Sequence, residues 1–227
     1  MHRPTAIWTS VALLAVAAGG PVLAQQHQPP AGQKPDHMQH AFNDPDRYAK
    51  QFDDPARDAW QMPDRVIAAL GLKAGQAVAD IGAGTGYFSM RLAKSVAAPT
   101  VYAVDIEPKM VEYLKGRAAK EGLRNVTAVQ AGAASPNLPV PVDTILIVDT
   151  HHHIADRVAY FRKLRASLKS GGQLAIVDFR KDAPEGPPVE FRFTADQITA
   201  ELGQAGYRLA TSHAFLPRQL FLVYQVQ

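Results

Sequence analysis

A histidine-rich turn is the part of this sequence best suited to acid–base chemistry. It reads Asp149-Thr-His-His-His153 and follows a continuous apolar run that predicts a buried strand. Histidine titrates near neutral pH, so a ring here can take a proton from a reacting hydroxyl or amine. We predict that His152 or His153 is the base, and that Asp149 orients either the ring or the molecule that reacts.

Two other interpretations of the three histidines stay open. In the first, the turn buries one satisfied ring and exposes the other two, without any role in chemistry. In the second, the rings hold a metal ion, but adjacent residues do not naturally aim three rings at one ion. We therefore predict no metal ligands. The chain also lacks cysteine, which excludes thiolate nucleophiles, disulfides and thiolate metal sites.

A glycine-rich turn is the second candidate site. The apolar run that ends at Ile81 predicts a strand, and glycines follow at 82, 84 and 86 before a helical pattern begins. These glycines permit positive φ angles, and they let a ligand lie against bare backbone at the N-terminus of a helix. Asp105 stands nineteen residues after Gly86, at the end of the next predicted strand, where a carboxylate accepts the hydroxyls of a ribose. An adenosine-type ligand is predicted.

The residue after the last glycine indicates which ligand this is. Dinucleotide sites carry a G-x-G-x-x-G pattern, but here Tyr87 stands in the place of the third glycine of that pattern. The negative charge of Asp80 would repel a phosphate and attract a cationic amino group. An acidic residue followed by G-x-G-x-G resembles the first motif of class I S-adenosylmethionine-dependent methyltransferases.

The resemblance implies a role for each matching residue. Asp80 and the loop Gly82, Ala83, Gly84 and Gly86 would hold the methionine part of S-adenosyl-L-methionine, Asp105 would hold the ribose, and Ile106 would cover a face of the adenine. One segment departs from the family. Members often supply an acid near the adenine amino group after the third strand, whereas this chain has residues 130–134, Gln-Ala-Gly-Ala-Ala, at that place.

The remaining pattern alternates strands and helices, which predicts an α/β fold with a doubly wound, Rossmann-like sheet. Two consecutive strands, 207–214 and 219–226, close the chain without a helix between them. In the methyltransferase family this antiparallel C-terminal hairpin completes a seven-stranded sheet, with the seventh strand beside the fifth. A helix with its apolar face at 158, 161, 164 and 168 is expected to end at Gly171 and Gly172.

Composition and the N-terminal pattern set the domain organisation. Residues 1–24 resemble a secretory signal peptide, with Arg3 before a short alanine-rich apolar run, and an uncleaved membrane anchor is the alternative. Residues 25–41 are rich in Gln, Pro and His and predict a flexible linker. Residues 42–72 predict a lid over the ligand, with Tyr48, Arg57 and Trp60 as its candidate contacts. Residues 73–227 form the predicted cofactor-binding domain.

The sequence thus predicts a periplasmic or secreted enzyme that transfers a methyl group to a small or medium-sized acceptor. The formal charge of +3, without a long basic run, gives no reason to expect a nucleic-acid partner, and cleavage would leave no stable membrane insertion. The oligomeric state is open. A degenerate methyltransferase fold that serves as a non-catalytic envelope binding protein is the main alternative, and a nicotinamide-dependent oxidoreductase is the weaker one.

Overall fold

The structure is a computed structural model that describes residues 42–227. The predicted signal peptide and linker lie outside the described residues. The chain forms a seven-stranded sheet, and the strands are β1 (Ala77–Ile81), β2 (Thr100–Asp105), β3 (Val126–Gln130), β4 (Val142–Val148), β5 (Leu168–Phe179), β6 (Tyr207–His213) and β7 (Gln219–Val226). The helices are α1 (Pro45–Phe52), α2 (Asp58–Gln61), α3 (Pro63–Ala69), α4 (Tyr87–Lys94), α5 (Pro108–Lys120), α6 (Arg157–Leu164) and α7 (Ala195–Gln204).

The strand order confirms the predicted architecture. The sheet runs β3-β2-β1-β4-β5-β7-β6, so the order reverses between β1 and β4. Strands β1 to β5 pair in parallel, while β7 is antiparallel to both β5 and β6. The closing hairpin therefore places β7 beside β5, as predicted. Ligands of open α/β sheets bind outside the carboxyl ends of the strands at such a reversal, which here are the ends of β1 and β4.

Helices cover both faces of the sheet because the central strands carry apolar side chains on both of their faces. Neighbouring residues point to opposite faces, so Ile145 and Ile147 pack in one cluster while Leu146 and Val148 pack in the other. The first cluster includes residues of α6 and α7, and the second includes residues of α3 and α4. Because both faces are buried, the position of each strand end is fixed. The candidate site residues stand at these ends or directly after them.

The boundary between α6 and β5 differs from the prediction. Helix α6 ends at Leu164, and β5 already begins at Leu168, where that residue pairs with Val142. The predicted helix stop at the two glycines is wrong because both glycines lie inside the strand. Gly171 has a φ of 75°, and a Cβ on Gly172 would lie 2.9 Å from a backbone oxygen, so the glycines here permit an irregularity in the strand.

Candidate active site

The glycine turn joins β1 to α4 in the predicted way. Gly82, Gly84 and Gly86 have φ angles of 77°, 54° and 94°. A Cβ on Gly82 would lie 2.2 Å from Oγ1 of Thr150, and a Cβ on Gly86 would crowd α4 and α5 side chains at under 3 Å. Glycine is therefore required at both positions. The contact with Thr150 also brings the glycine turn against the histidine turn that follows β4.

Asp105 lies beside the glycine turn, at the end of β2. Its side chain is 8% exposed and accepts hydrogen bonds from the backbone N–H groups of Gly84 at 2.8 Å and Glu107 at 2.9 Å. Burial raises the pKa of Asp105, although these N–H groups act in the opposite direction. The next side chain, Ile106, is apolar and 53% exposed. A carboxylate and an open apolar surface therefore lie side by side, which fits a nucleoside.

Asp80 lies beneath the glycine turn. Its carboxylate is 2% exposed and accepts a hydrogen bond of 2.6 Å from Oγ of Ser89, on α4. Burial raises the pKa of Asp80 to about 6 despite this bond. Asp80 thus fixes the start of α4, and its predicted contact with the amino group of a ligand stays a prediction.

Amide side chains hold the segment after β3, where members of the family often carry an acid and this chain does not. Gln130 donates a hydrogen bond to the carbonyl of Ile106, and Asn137 donates one to the carbonyl of Gln130. Gly132 and Ser135 form a small bridge between these residues. The departure from the family pattern therefore leaves a fixed turn of backbone beside Ile106.

A buried pair of His152 and Asp178 forms the main polar feature of the histidine turn. Nδ1 of His152 lies 2.9 and 3.0 Å from the two carboxylate oxygens of Asp178, the penultimate residue of β5. The backbone N–H of His152 lies 3.3 Å from the same carboxylate. With Nδ1 bound to an acid, the imidazole keeps its proton there and presents the lone pair of Nε2. Nε2 is then the nitrogen that can accept a proton.

The charges around His152 set its protonation. Burial acts to lower the pKa of His152, but the carboxylates of Asp178 and Asp149 outweigh it and raise this pKa above the ordinary histidine value. Burial acts to raise the pKa of Asp178, and its contact with His152 nevertheless holds that pKa below its usual value. The two side chains therefore stabilise each other's charged forms.

Asp149 contacts other side chains than predicted. Its carboxylate accepts hydrogen bonds from Gln61 at 2.9 Å and from Gln219, and it lies 3.5 Å from the guanidinium of Arg57. Asp178, and not Asp149, makes the hydrogen bond to His152, so the prediction that Asp149 orients the ring is corrected, and its alternative role of orienting the acceptor stays a prediction. The φ of Asp149 is 51°, which turns its side chain away from the strand direction and under α2.

The other two histidines differ from each other. His151 is fully buried, with its ring stacked on Phe161 and Nε2 3.5 Å from a carboxylate oxygen of Glu201. The ring of His153 lies 4.3 Å from that of His152 and 5.5 Å from that of Phe42. His151 therefore belongs to the packing of α6 and α7, while His152 and His153 lie together. Within residues 42–227, no group of three or more potential ligand side chains is placed to hold a metal.

An N-terminal strap, residues 42–62, crosses the ends of the strands. Three of its aromatic rings contact the site: Phe52 lies against Gly84, Phe42 against His153, and Trp60 lies 5.6 Å from Phe179 at the end of β5. The strap thus reaches the ends of β1, β4 and β5.

Polar contacts fasten the strap at three places. Asp53 pairs with Arg117 of α5 at 2.8 Å, Asp58 pairs with Arg91 of α4 at 3.0 Å, and Gln61 bonds to Asp149. Tyr87 lies between the guanidinium groups of Arg57 and Arg91, at 4.2 and 3.9 Å, and its hydroxyl bonds to Asp58. The tyrosine in the place of a dinucleotide glycine therefore anchors the strap.

The comparisons with known proteins agree with this geometry. A family model described as a methyltransferase domain matches residues 72–207, more than half of the chain. The chain belongs to this methyltransferase family. A solved S-adenosylmethionine-dependent methyltransferase from Aquifex aeolicus is 29% identical, with a TM-score of 0.74 over 81% of this chain and 99% of that one. The class I methyltransferase fold and S-adenosylmethionine as the cofactor are thereby confirmed.

Curated relatives match a shorter stretch. The 27-O-demethylrifamycin SV methyltransferase of Amycolatopsis mediterranei is 31% identical over 122 residues, which is 52% of this chain and 44% of that protein. A ubiquinone/menaquinone biosynthesis C-methyltransferase from a Marinomonas species is 32% identical over 124 residues, 52% of this chain and 49% of that protein. The chain thus spans less than half the length of these relatives.

Sequence reasoning missed three residues of the candidate site. Asp178 carries the same signal as Asp105, an acid where a buried parallel strand ends, but it lies far in sequence from the histidines. Gln61 and Gln219 are 0% and 2% exposed, and they bond to each other at 3.2 Å as well as to Asp149. No local pattern indicates that these glutamines meet, since 158 positions separate them.

Proposed function

We propose that this chain transfers the methyl group of S-adenosylmethionine to a small or medium-sized acceptor that carries a proton on its nucleophilic atom, with His152 as the general base. The observation that carries the proposal is the His152–Asp178 pair. His152 follows β4, and β4 pairs with β1, whose end leads into the glycine turn. A base in this position is needed only when the acceptor must lose a proton during transfer.

The described residues fit the cofactor. Glycines that tolerate no side chain, the carboxylate of Asp105 and the exposed side chain of Ile106 form one continuous cradle at the ends of β1 and β2. When bound, S-adenosylmethionine supplies an electrophilic methyl group on a sulfonium. Asp105 and the glycine turn would hold it, because a carboxylate accepts ribose hydroxyls and bare backbone permits close approach.

The chain's own part in the reaction is positioning and proton transfer. Asp178 keeps the imidazole of His152 in one tautomer, so that Nε2 receives the acceptor's proton. The strap excludes water from the ends of the strands, and its aromatic side chains help to orient the acceptor. Asp149 and its amide partners tie the strap to β4 and β7, which supports the predicted role of residues 42–72 as a lid.

A calorimetric titration separates this proposal from its rivals. We expect S-adenosylmethionine and S-adenosylhomocysteine to bind with micromolar affinity and NAD not to bind. Binding of NAD alone would favour the nicotinamide-dependent oxidoreductase. Absence of binding by all three would favour the non-catalytic binding protein.

Variants of the two neighbouring histidines test the base. We expect His152→Ala to lower turnover about 100-fold or more without a change in cofactor affinity, because the proton would have no acceptor. His153→Ala is the matched control and should lower turnover less. Equal turnover in the two variants would contradict the assignment of the base to His152.

We further propose that the enzyme is exported, on the strength of the charged, apolar and small-residue segments within residues 1–24. Among residues 42–227, none of the helices has both the length and the apolar character needed to span a bilayer. A reporter fused after Gln26 tests export. Retention of that reporter in the cytoplasm would contradict it.

A further inference from the structure

A buried cluster of aromatic and charged side chains adjoins the histidine turn, and the proposed reaction gives it no role. Its centre is the ring of His151, which is fully buried and contacts the rings of Phe161, at 5.8 Å, and Phe193, at 5.1 Å. Within residues 42–227, neither ring nitrogen of His151 makes a hydrogen bond. A phenylalanine would fill this place without burying unbonded nitrogens, so packing alone does not account for a histidine here.

The carboxylate of Glu201, on α7, gives this ring a direction. One of its oxygens lies 3.5 Å from Nε2 of His151. Burial acts to raise the pKa of Glu201, but His151 and the guanidinium of Arg157 lower it to about 2, so the carboxylate is charged well below neutral pH. A charged acceptor at this place draws the ring proton to Nε2. In their neutral forms, His151 and His152 therefore carry their protons on opposite nitrogens, because Asp178 holds that of His152 on Nδ1.

Arg157, the first residue of α6, joins Glu201 to the end of the histidine turn. Two of its nitrogens donate to the two carboxylate oxygens of Glu201, at 2.8 and 3.1 Å, which is the bidentate geometry of a strong pair. The third nitrogen donates to the carbonyl of Ile154 at 3.2 Å. The backbone N–H of Ile154 in turn donates to the carbonyl of His151 at 3.1 Å and closes the turn. Arg157 and Glu201 therefore contact both ends of the segment that contains His152.

Burial protects the pair of Arg157 and Glu201 from screening by water. Arg157 is buried, and its guanidinium lies 4.3 Å from the centre of the Phe193 ring, which also contacts His151. Exposed ion pairs contribute little to a fold because solvent screens them and their side chains lose entropy when they meet. Here the bidentate contact, the aromatic ring and the bond to the turn restrict Arg157 to one arrangement. The position of the histidine turn is therefore tied to α6 and α7.

We propose that Glu201 and Arg157 are positioning residues for His152. This rests on the proposed function, in which His152 is the base. The pair fixes His151 and Ile154, at the two ends of the segment, while Asp178 fixes the ring of His152 itself. Proton transfer needs Nε2 of His152 within hydrogen-bond reach of the acceptor, and a misplacement of about 1 Å can cost about 100-fold in rate.

Nuclear magnetic resonance of the full-length protein with isotope-labelled histidine tests the positioning without turnover. With S-adenosylhomocysteine added, the ring-nitrogen shifts should show His151 with its proton on Nε2 and His152 with its proton on Nδ1. In Glu201→Gln we expect the ring resonances of both histidines to move, whereas Asp196→Asn, at an exposed acid of the same helix, should leave them in place. Identical His152 resonances in Glu201→Gln and the wild type would overturn the proposal. Failure of S-adenosylhomocysteine to bind would instead overturn the proposed function, and this proposal with it.

Steady-state kinetics separate positioning from binding. We expect Glu201→Gln and His151→Phe each to lower kcat about tenfold, while KM and the affinity for S-adenosylmethionine change less than about twofold. His151→Phe keeps an aromatic ring in the same place and removes the unbonded nitrogens, so its unfolding temperature should match or exceed that of the wild type. Asp196→Asn is again the control. A wild-type kcat in both Glu201→Gln and His151→Phe would contradict a positioning role.

The pH profile of kcat separates an effect on position from an effect on charge. Burial and the carboxylates of Asp178 and Asp149 set the pKa of His152. Glu201→Gln should therefore keep the pH midpoint of the wild type and lower only the plateau of kcat. A midpoint shifted toward that of Asp178→Asn would mean that Glu201 acts through its charge, and would overturn its role in positioning.

Discussion

Asp105 and Asp178 are two acids of similar position and different task. Both occur near the carboxyl end of a buried parallel strand, and both accept backbone N–H groups from the chain that follows. Asp105 adds a bond from the glycine turn, whereas Asp178 adds the imidazole of His152. In the proposed reaction, the partner that each strand end meets therefore decides whether the carboxylate would hold the cofactor or the base.

We expect the removal of the Asp105 carboxylate to weaken cofactor binding. Asp105→Ala removes the acceptor for the ribose hydroxyls and for the N–H of Gly84, so the affinity for S-adenosylmethionine should fall about tenfold or more. Calorimetry measures this directly. Asp105→Asn, which keeps the shape and one acceptor oxygen, should lose less, and unchanged affinity in both variants would reject the assignment.

At the scale of elements, the strap and the histidine turn depend on each other. Asp149 holds an unusual backbone conformation, and two buried glutamines and an arginine surround its carboxylate. Burial raises the pKa of Asp149 to about 6, while Arg57 opposes the rise. The ion pair with Arg57 is thus present at neutral pH and is lost as the pH falls through about 6.

The strap should loosen when Asp149 loses its charge. Asp149→Asn keeps the size of the side chain, and asparagine tolerates the positive φ, but the attraction to Arg57 disappears. We expect trypsin to cleave this variant faster than the wild type after Arg47, Lys50 and Arg57. Mass spectrometry of the digest over time measures the cleavage rates. Asp182→Asn, which breaks an exposed pair with Arg180, is the control, and equal cleavage in the two variants would argue against a fastening role.

Elements with a strong local signal were predictable from the sequence, and those set by long-range contacts were not. The capping box of Thr194 and Gln197 before α7 and the glycine turn before α4 are encoded within a few residues. The start of β5 depends on pairing of Leu168 with Val142, which overrides the usual meaning of two glycines as a helix end. Asp178 was missed for the same reason, because its partner is 26 positions away.

At the scale of the whole molecule, the strand order makes the site. The parallel strands β1, β2, β4 and β5 all have their carboxyl ends at the same edge of the sheet. This shared edge brings together the glycine turn, Asp105, the histidine turn and Asp178. The antiparallel β7 enters from the opposite direction and brings Gln219, its first residue, to the same edge. The strap then covers this edge and joins its parts.

The pH dependence of methyl transfer, measured as kcat at saturating cofactor, tests the central claim most directly. A general base works only when unprotonated, and the pKa of His152 is raised by Asp178, so kcat should fall as the pH drops through a midpoint above about 6.5. In Asp178→Asn, burial of the ring is no longer offset by that charge, so the midpoint should move to lower pH and the plateau should fall. A wild-type profile without this midpoint, or the same midpoint in both proteins, would contradict the account.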